Sequence, residues 1–260
     1  MIRASLVITV VLTALTLNAC AGGQRRGPPR KVIDQVLSVA PGKAQPSAIV
    51  ALEVAYARDA REQGLFVAGQ NYAASNALIH LEGEPQAFAA MLDALKASDR
   101  QRQWKTRTVV MSCDGALAVS QGRFADETGK VGNYVTTWER QPNGEYKWVY
   151  DATGYDIPQP PPRKEFEDGD IVVTAIDSIR GFVATCPNGA TIPTPPPVRI
   201  AVGEEGDAAP KAASQSARDG TMRWRWEDRP DGTRYVRAEY FYEGGWEVGI
   251  EESLASLPER

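Results

Sequence analysis

Apolar residues recur at helical spacing from Pro46 onward. Ile49, Leu52, Tyr56 and Ala60 fall on one face, so the pattern predicts a helix with Ser47 as its cap. Gly64 stops it. A second short helical stretch is expected from Phe66 to Ser75. Pro85 suits the first turn of a third helix, whose apolar face is Phe88, Met91, Leu92 and Leu95. From Trp104 the period drops to two. Strands are predicted over Trp104–Ser112, Ala116–Phe124, Val131–Arg140 and Tyr146–Ala152, with Asp114-Gly115 and Pro142-Asn143-Gly144 as turns. Helices followed by an antiparallel meander give an α+β domain with helices on one face of its sheet.

The rest of the chain is β-rich. Pro158 to Pro162 reads as a stiff spacer, and 158–167 as a linker. A strand is expected at Ile171–Ile176, paired with Arg180–Cys186, and a short one at Val198–Val202. The span 203–220 is small and polar and reads as a mobile loop. Met222, Trp224 and Trp226 then alternate with Arg223, Arg225 and Glu227. With Tyr235–Tyr242 and Trp246–Ile250 they predict a three-stranded meander with one buried face. Asp168 and Asp170 flank a glycine but lack the ligand array of a calcium loop. Whether the two β regions share a sheet is open at this level.

Composition narrows the function classes. The 260 residues are 43% hydrophobic and 24% charged, which is globular. The net charge of −4 disfavours phosphate neutralisation, so no nucleic-acid partner is expected despite Arg-Trp-Arg-Trp at 223–226. One His and three scattered Cys cannot build the usual structural zinc sites, which want four N/S ligands at short spacings, and no glycine-rich phosphate loop appears, so neither metal nor cofactor is expected.

The first residues read as an address. Arg3 precedes an apolar run, Ser5 to Leu17, that is shorter than the ~20 residues needed to span a bilayer. Leu17-Asn18-Ala19-Cys20 resembles the lipobox of bacterial lipoproteins. That resemblance implies a signal peptide at 1–19, lipidation of Cys20 and a periplasmic protein held to the membrane by its lipid. Ala21 after the cysteine favours the outer membrane by the same resemblance. The segment 20–44, with Arg25, Arg26, Arg30 and Lys31, reads as a lipidated tether. With Cys20 acylated, Cys113 and Cys186 remain as an even pair in an oxidising compartment. A disulfide between them is expected, with two buried thiols as the alternative.

Two pieces carry a second resemblance: Met111-Ser112-Cys113-Asp114-Gly115-Ala116-Leu117-Ala118-Val119-Ser120-Gln121-Gly122, and the stretch from Gly132 to Asp151 with Thr137-Trp138-Glu139-Arg140 and Tyr146-Lys147-Trp148-Val149-Tyr150-Asp151. Together they resemble the NTF2-like superfamily in its SnoaL-like and DUF4440-like branch, over about residues 45–155. The resemblance implies a cone of helices packed on a curved antiparallel sheet over 45–157, with 168–260 as a β-rich extension. It also implies an apolar pocket at the open end, in a superfamily that mixes enzymes with modules that catalyse nothing.

Alternation puts Tyr134, Thr136 and Trp138 on one face. It also groups Trp148 with Tyr150, and Trp104 with Thr106, Thr108 and Val110. Tyr56, His80, Trp104, Tyr134, Trp138, Trp148 and Asp151 are the candidate pocket residues. Asp151 and Glu139 are candidate acids, with Tyr56 and Tyr134 as donors and His80 as an alternative base. Asp114 is explained by its turn, and Asp151 by a strand end where it meets backbone donors. Glu53 and Asp93 read as exposed helix charges. No catalytic role is assigned. The leading reading is a non-enzymatic, lipid-anchored module that binds a small apolar ligand or an envelope partner. The alternatives are an isomerase- or dehydratase-like enzyme and a structural homodimer paired through its sheet.

Overall fold

The computed structural model describes residues 44–81, 83–97, 102–161, 178–187 and 212–255. All of them lie in one compact unit spanning Pro41–Arg260. Helix α1 (Pro46–Gln63) begins with Pro46 in its first turn and no side-chain cap, so Ser47 is inside the helix rather than capping it. The fixed proline φ takes over the role expected of the serine. Gly64, at φ 96°, closes α1 by donating its N–H to the Ala60 carbonyl, and α2 (Leu65–Tyr72) starts at once.

The expected helix to Ser75 ends at Tyr72. Ala73–His80 is a strand, β1, followed by a two-residue strand β2 (Gln86–Ala87) and then α3 (Phe88–Ala97). Pro85 therefore precedes a strand and not a helix. The meander is as expected in order: β3 (Arg102–Met111), β4 (Leu117–Asp126), β5 (Val131–Arg140) and β6 (Tyr146–Tyr155). The remaining strands are β7 (Arg180–Val183), β8 (Ala212–Ser216), β9 (Met222–Asp228), β10 (Thr233–Tyr242) and β11 (Gly245–Ala255).

Among the described residues two sheets result, with orders β2-β1-β6-β5-β4-β3-β7 and β11-β10-β9-β8. Strand β1 adds to β6 in parallel and β7 adds to β3 in parallel, so the first sheet is mixed. The partner of β7 is β3; the strand expected at 171–176, like that at 198–202, lies outside the described residues. The loop expected at 203–220 contains β8, which pairs with β9 and makes the last meander four-stranded. Cross-strand pairing compensates for the weak strand preference of its small polar residues.

The first sheet is buried on both faces. One face, with Val109, Met111, Ala118, Trp138 and Trp148, packs on Ile49, Phe66, Phe88 and Leu95 of the helices. The other, with Val110, Val119, Val135, Tyr150 and Ala152, packs on Met222, Trp224, Trp226, Val236 and Leu254 of the second sheet. The two β regions are thus separate sheets sharing one core. Gly249 lets them approach: a Cβ there would lie 2.4 Å from Val110 Cγ2. On the outer face of the second sheet Arg223 pairs with Glu239 at 2.6 Å and Arg225 with Glu227 at 2.8 Å.

Two β-bulges correct the face assignments. Thr106 pairs with Gly122 and Thr108 with Gln121, so Arg107 is an extra residue in β3. Thr137 pairs with Tyr150 and Trp138 with Trp148, so Val149 is an extra residue in β6. Alternation fails across a bulge because one added residue reverses every later side chain. Trp104 and Thr106 therefore face the helices while Val110 faces the second sheet. Trp148 and Tyr150 likewise separate.

The hairpin after β3 is tied to the second sheet. Asp114 accepts from Ser112 Oγ and from the Ala116 N–H within its own turn, as expected. The N–H groups of Cys113 and Asp114 donate to Thr221 Oγ1 and Asp219 Oδ2, both at 2.9 Å. Cys113 and Cys186 form a disulfide with a Cα separation of 5.1 Å, 73 residues apart in sequence. Replacing both cysteines by serine is expected to remove about 4 kcal/mol by loop entropy. A urea midpoint that drops for the double variant and for the reduced protein alike checks this; an unchanged midpoint refutes it.

Candidate functional site

The sheet face under the helices is not filled completely. A cavity of about 50 Å³ remains between α1, α2, α3 and strands β3 to β6. Its apolar walls include Tyr56, Leu65, Phe66, Phe88, Trp104 and Phe124. The polar side is made of Glu53, Tyr134, Thr136, Asp151 and Thr153, with Arg102 also lining it.

Glu53 is the group the sequence reading placed wrongly. It is 3% exposed, not a solvated helix charge. The buried stripe of α1 is Ile49, Glu53, Ala57 and Ala60, so Glu53 lies one turn beyond Ile49 on the inward face. Two strands donate to its carboxyl. Ser120 Oγ donates to Oε1 at 2.6 Å and Trp104 Nε1 donates to Oε2 at 2.8 Å. Trp138 Nε1 in turn donates to Ser120 Oγ at 3.0 Å. Burial nevertheless wins: it raises the Glu53 pKa from 4.5 to about 7 against the hydrogen bonds of Ser120 and Trp104, and the charge of Asp151 adds to the rise.

Asp151 lies within β6, not at a strand end, and meets a side chain instead of backbone donors. Thr136 Oγ1 donates to its Oδ2 at 2.7 Å. Burial raises its pKa, opposed by that hydrogen bond and by Arg102. The guanidinium of Arg102 sits 5.0 Å over the Phe124 ring. Tyr134 shares a hydrogen bond with Thr106 at 3.1 Å, and burial beside Glu53 pushes its phenol well above the ordinary range. Gly122 makes room for that ring: a Cβ would lie 2.7 Å from Tyr134 Cε1 and 2.2 Å from the Lys105 carbonyl oxygen. The aromatic wall is built edge to face, Tyr56 against Trp104 at 4.9 Å and Phe88 against Trp148 at 4.8 Å.

Of the seven candidates, Tyr56, Trp104, Tyr134, Trp148 and Asp151 line this cavity. Trp138 does not; it is buried behind Ser120 and orients it. His80 lies outside as well. It is fully buried, edge-on to Trp226 of the second sheet at 4.6 Å. Its Nε2 is 2.7 Å from the Gly83 carbonyl and its Nδ1 is 2.7 Å from Tyr150 Oη. A carbonyl only accepts, so Nε2 carries a proton and donates to it, while Nδ1 pairs with the tyrosine hydroxyl. The backbone turn at Gly83 decided this role, and no base for the cavity comes from it. Glu139 accepts from Gln215 of β8 and is likewise outside the cavity. Asp93 is an exposed helix charge.

No family model and no curated protein matches the chain. Solved structures do. A polyketide cyclase-like protein from Xanthomonas campestris aligns with 44% of this chain and 93% of its own, at 16% identity and TM-score 0.32. Nuclear transport factor 2 from Cryptosporidium parvum aligns with 43% of this chain and 95% of its own, at 12% identity and TM-score 0.34. An NTF2-like superfamily protein from Salmonella enterica aligns with 48% and 99%, at 10% identity and TM-score 0.30. The structural neighbours are therefore NTF2-like superfamily proteins. At these values they say nothing of ligand or reaction, which have to be read from the cavity itself.

The buried acid has a signature in stability. A carboxyl raised from 4.5 to about 7 keeps its proton in the folded state while the unfolded chain has lost it. Stability from Glu53 is thus complete below pH 4.5 and falls as pH rises toward 7, by about 3 kcal/mol. Glu53→Gln is expected to flatten that descent, read as urea midpoints across the same pH range. An equal slope in the variant would show that Glu53 titrates normally.

Proposed function

We propose that the described unit is an NTF2-like binding module of the SnoaL-like and DUF4440-like branch, and that its cavity takes a small ligand with an apolar body. One observation carries this reading: an aromatic-walled cavity with carboxyl groups, Glu53 and Asp151, at its polar side. Most polar groups there are held by partners within the fold, so the cavity is pre-organised. The face of the first sheet that a paired dimer would use is occupied by the chain's own second sheet, which favours the binding module over a sheet-paired homodimer.

A second reading has its own support. Glu53, with a pKa of about 7, is poised to give or take a proton at neutral pH. An isomerase- or dehydratase-like enzyme would use Glu53 or Asp151 in that role, with Tyr134 as donor.

We further propose that the chain is a lipoprotein, anchored through Cys20 on the periplasmic side of the outer membrane. The lipobox resemblance supports this, and the Cys113–Cys186 disulfide fits an oxidising compartment.

Two measurements test these readings. Native mass spectrometry of the chain purified from its envelope is expected to show a co-purified mass of a few hundred daltons, lost in Trp104→Ala. Bare protein in both cases would count against the module. If the captured ligand is turned over, Glu53→Gln should lower the rate about 10²-fold or more; unchanged product formation would return the protein to binding alone. Cys20→Ala is expected to shift the chain from membrane to soluble fraction, and membrane retention of that variant would remove the anchor.

A further inference from the structure

The charge lining the cavity specifies more than an apolar body. Two carboxyl groups face one guanidinium, Arg102, so the fully ionised cavity carries an excess of one negative charge. Asp151 binds Thr136 through one oxygen and has no hydrogen bond to the other among the described residues. Around these acids stand π faces: Tyr56 and Trp104 on one side, Phe88 and Trp148 on another. One of the aromatic rings, Phe124, already receives a cation from within the chain, the Arg102 guanidinium. A second observation is independent of the acids. Thr153 lines the cavity, is 6% exposed, and its Oγ1 has no hydrogen-bond partner among the described residues. Buried polar atoms are seldom left so unless a ligand or water completes them.

We propose that the cavity recognises an organic ammonium ion, with its charged head between Glu53 and Asp151 and its apolar body against Tyr56 and Trp104. Carboxylates supply the charge, Thr153 Oγ1 an acceptor, and the rings the quadrupole faces that attract alkylammonium groups. A metal cation is a poorer occupant, since no group of three or more metal-ligating side chains exists among the described residues. This inference rests on the reading of the cavity as a ligand site and names its ligand class.

Binding then couples to a proton. The charged and titratable groups around Glu53 are Asp151 on β6, Arg102 on β3, Tyr134 on β5 and Tyr56 on its own helix. Near neutral pH the empty cavity balances its charge by keeping Glu53 protonated, and burial is the main cause. An ammonium ion replaces that proton, so binding releases it and tightens as pH rises through about 7.

The test uses three probes of one shape on the whole chain: benzylamine, benzyl alcohol and benzoate. Affinity is read by tryptophan fluorescence and by calorimetry in buffers of different ionisation enthalpy. Benzylamine is expected to bind about tenfold or more tighter than the other two, to release a proton, and to gain affinity between about pH 6 and about pH 8. Asp151→Asn, at the less buried acid, is expected to cost about tenfold for benzylamine and to leave benzyl alcohol unchanged. Glu53→Gln is expected to abolish the proton release. Equal or tighter binding of benzyl alcohol or benzoate overturns the ammonium assignment while keeping the pocket. Failure of all three probes to bind overturns both.

Discussion

One extra residue in a strand decides where the chemistry lies. Val149 is bulged out of β6, so Trp148 lies under the helices, Tyr150 lies under the second sheet, and the alternation restarts with Asp151 and Thr153 toward the cavity. Without the bulge, a Trp148 facing the helices would put Asp151 on the opposite face, inside the intersheet core. A carboxyl there would lose the Thr136 hydroxyl and its access to the cavity, and the cost of burying it would rise. The bulge at Arg107 acts likewise in β3. It holds Trp104 and Thr106 toward the helices while allowing Val110 to meet Gly249 of the second sheet.

The second constraint is that both faces of the first sheet need cover. Helices cover one and the C-terminal meander covers the other. Strands buried on both sides lose the hydrophobic-polar alternation that a half-exposed sheet shows, and β4 is buried along nearly its whole length. The two interlocked Asp-Gly turns at 114 and 219 and the Cys113–Cys186 bond fix the relation of the layers at one edge. At another point Arg234 donates to the His80 carbonyl at 3.0 Å, deep between the sheets. His80 thus contributes to the joint between layers through both ring nitrogens and its backbone carbonyl.

Glu53 shows the opposing pressures on a site of this kind. A buried acid is unfavourable unless its oxygens are matched, and here two donors from β3 and β4 match them with Trp138 standing behind. The match is incomplete, because burial still outweighs it and the acid holds its proton to about pH 7. An acid so balanced costs stability at neutral pH and gives the cavity a group able to change charge.

Much of this protein was legible in the chain itself. The period-two pattern and the Asp-Gly and Asn-Gly turns set the meander β3 to β6, since alternation and turn chemistry are local properties. The helix end at Gly64, the pairing of Cys113 with Cys186 and the inward set Met222, Trp224 and Trp226 were equally readable. What tertiary structure decided was of another kind. Ala73–His80 became a strand because β6 offered it an edge, and Ala212–Ser216 did so against β9. Glu53 turned inward because Ser120 and Trp104, 67 and 51 residues away in sequence, could satisfy it. The bulges at Arg107 and Val149 arise in the register between strands, which no pattern within one strand records. Local periodicity determines which elements form; the pairing of distant segments determines which face each residue joins, and with it the site.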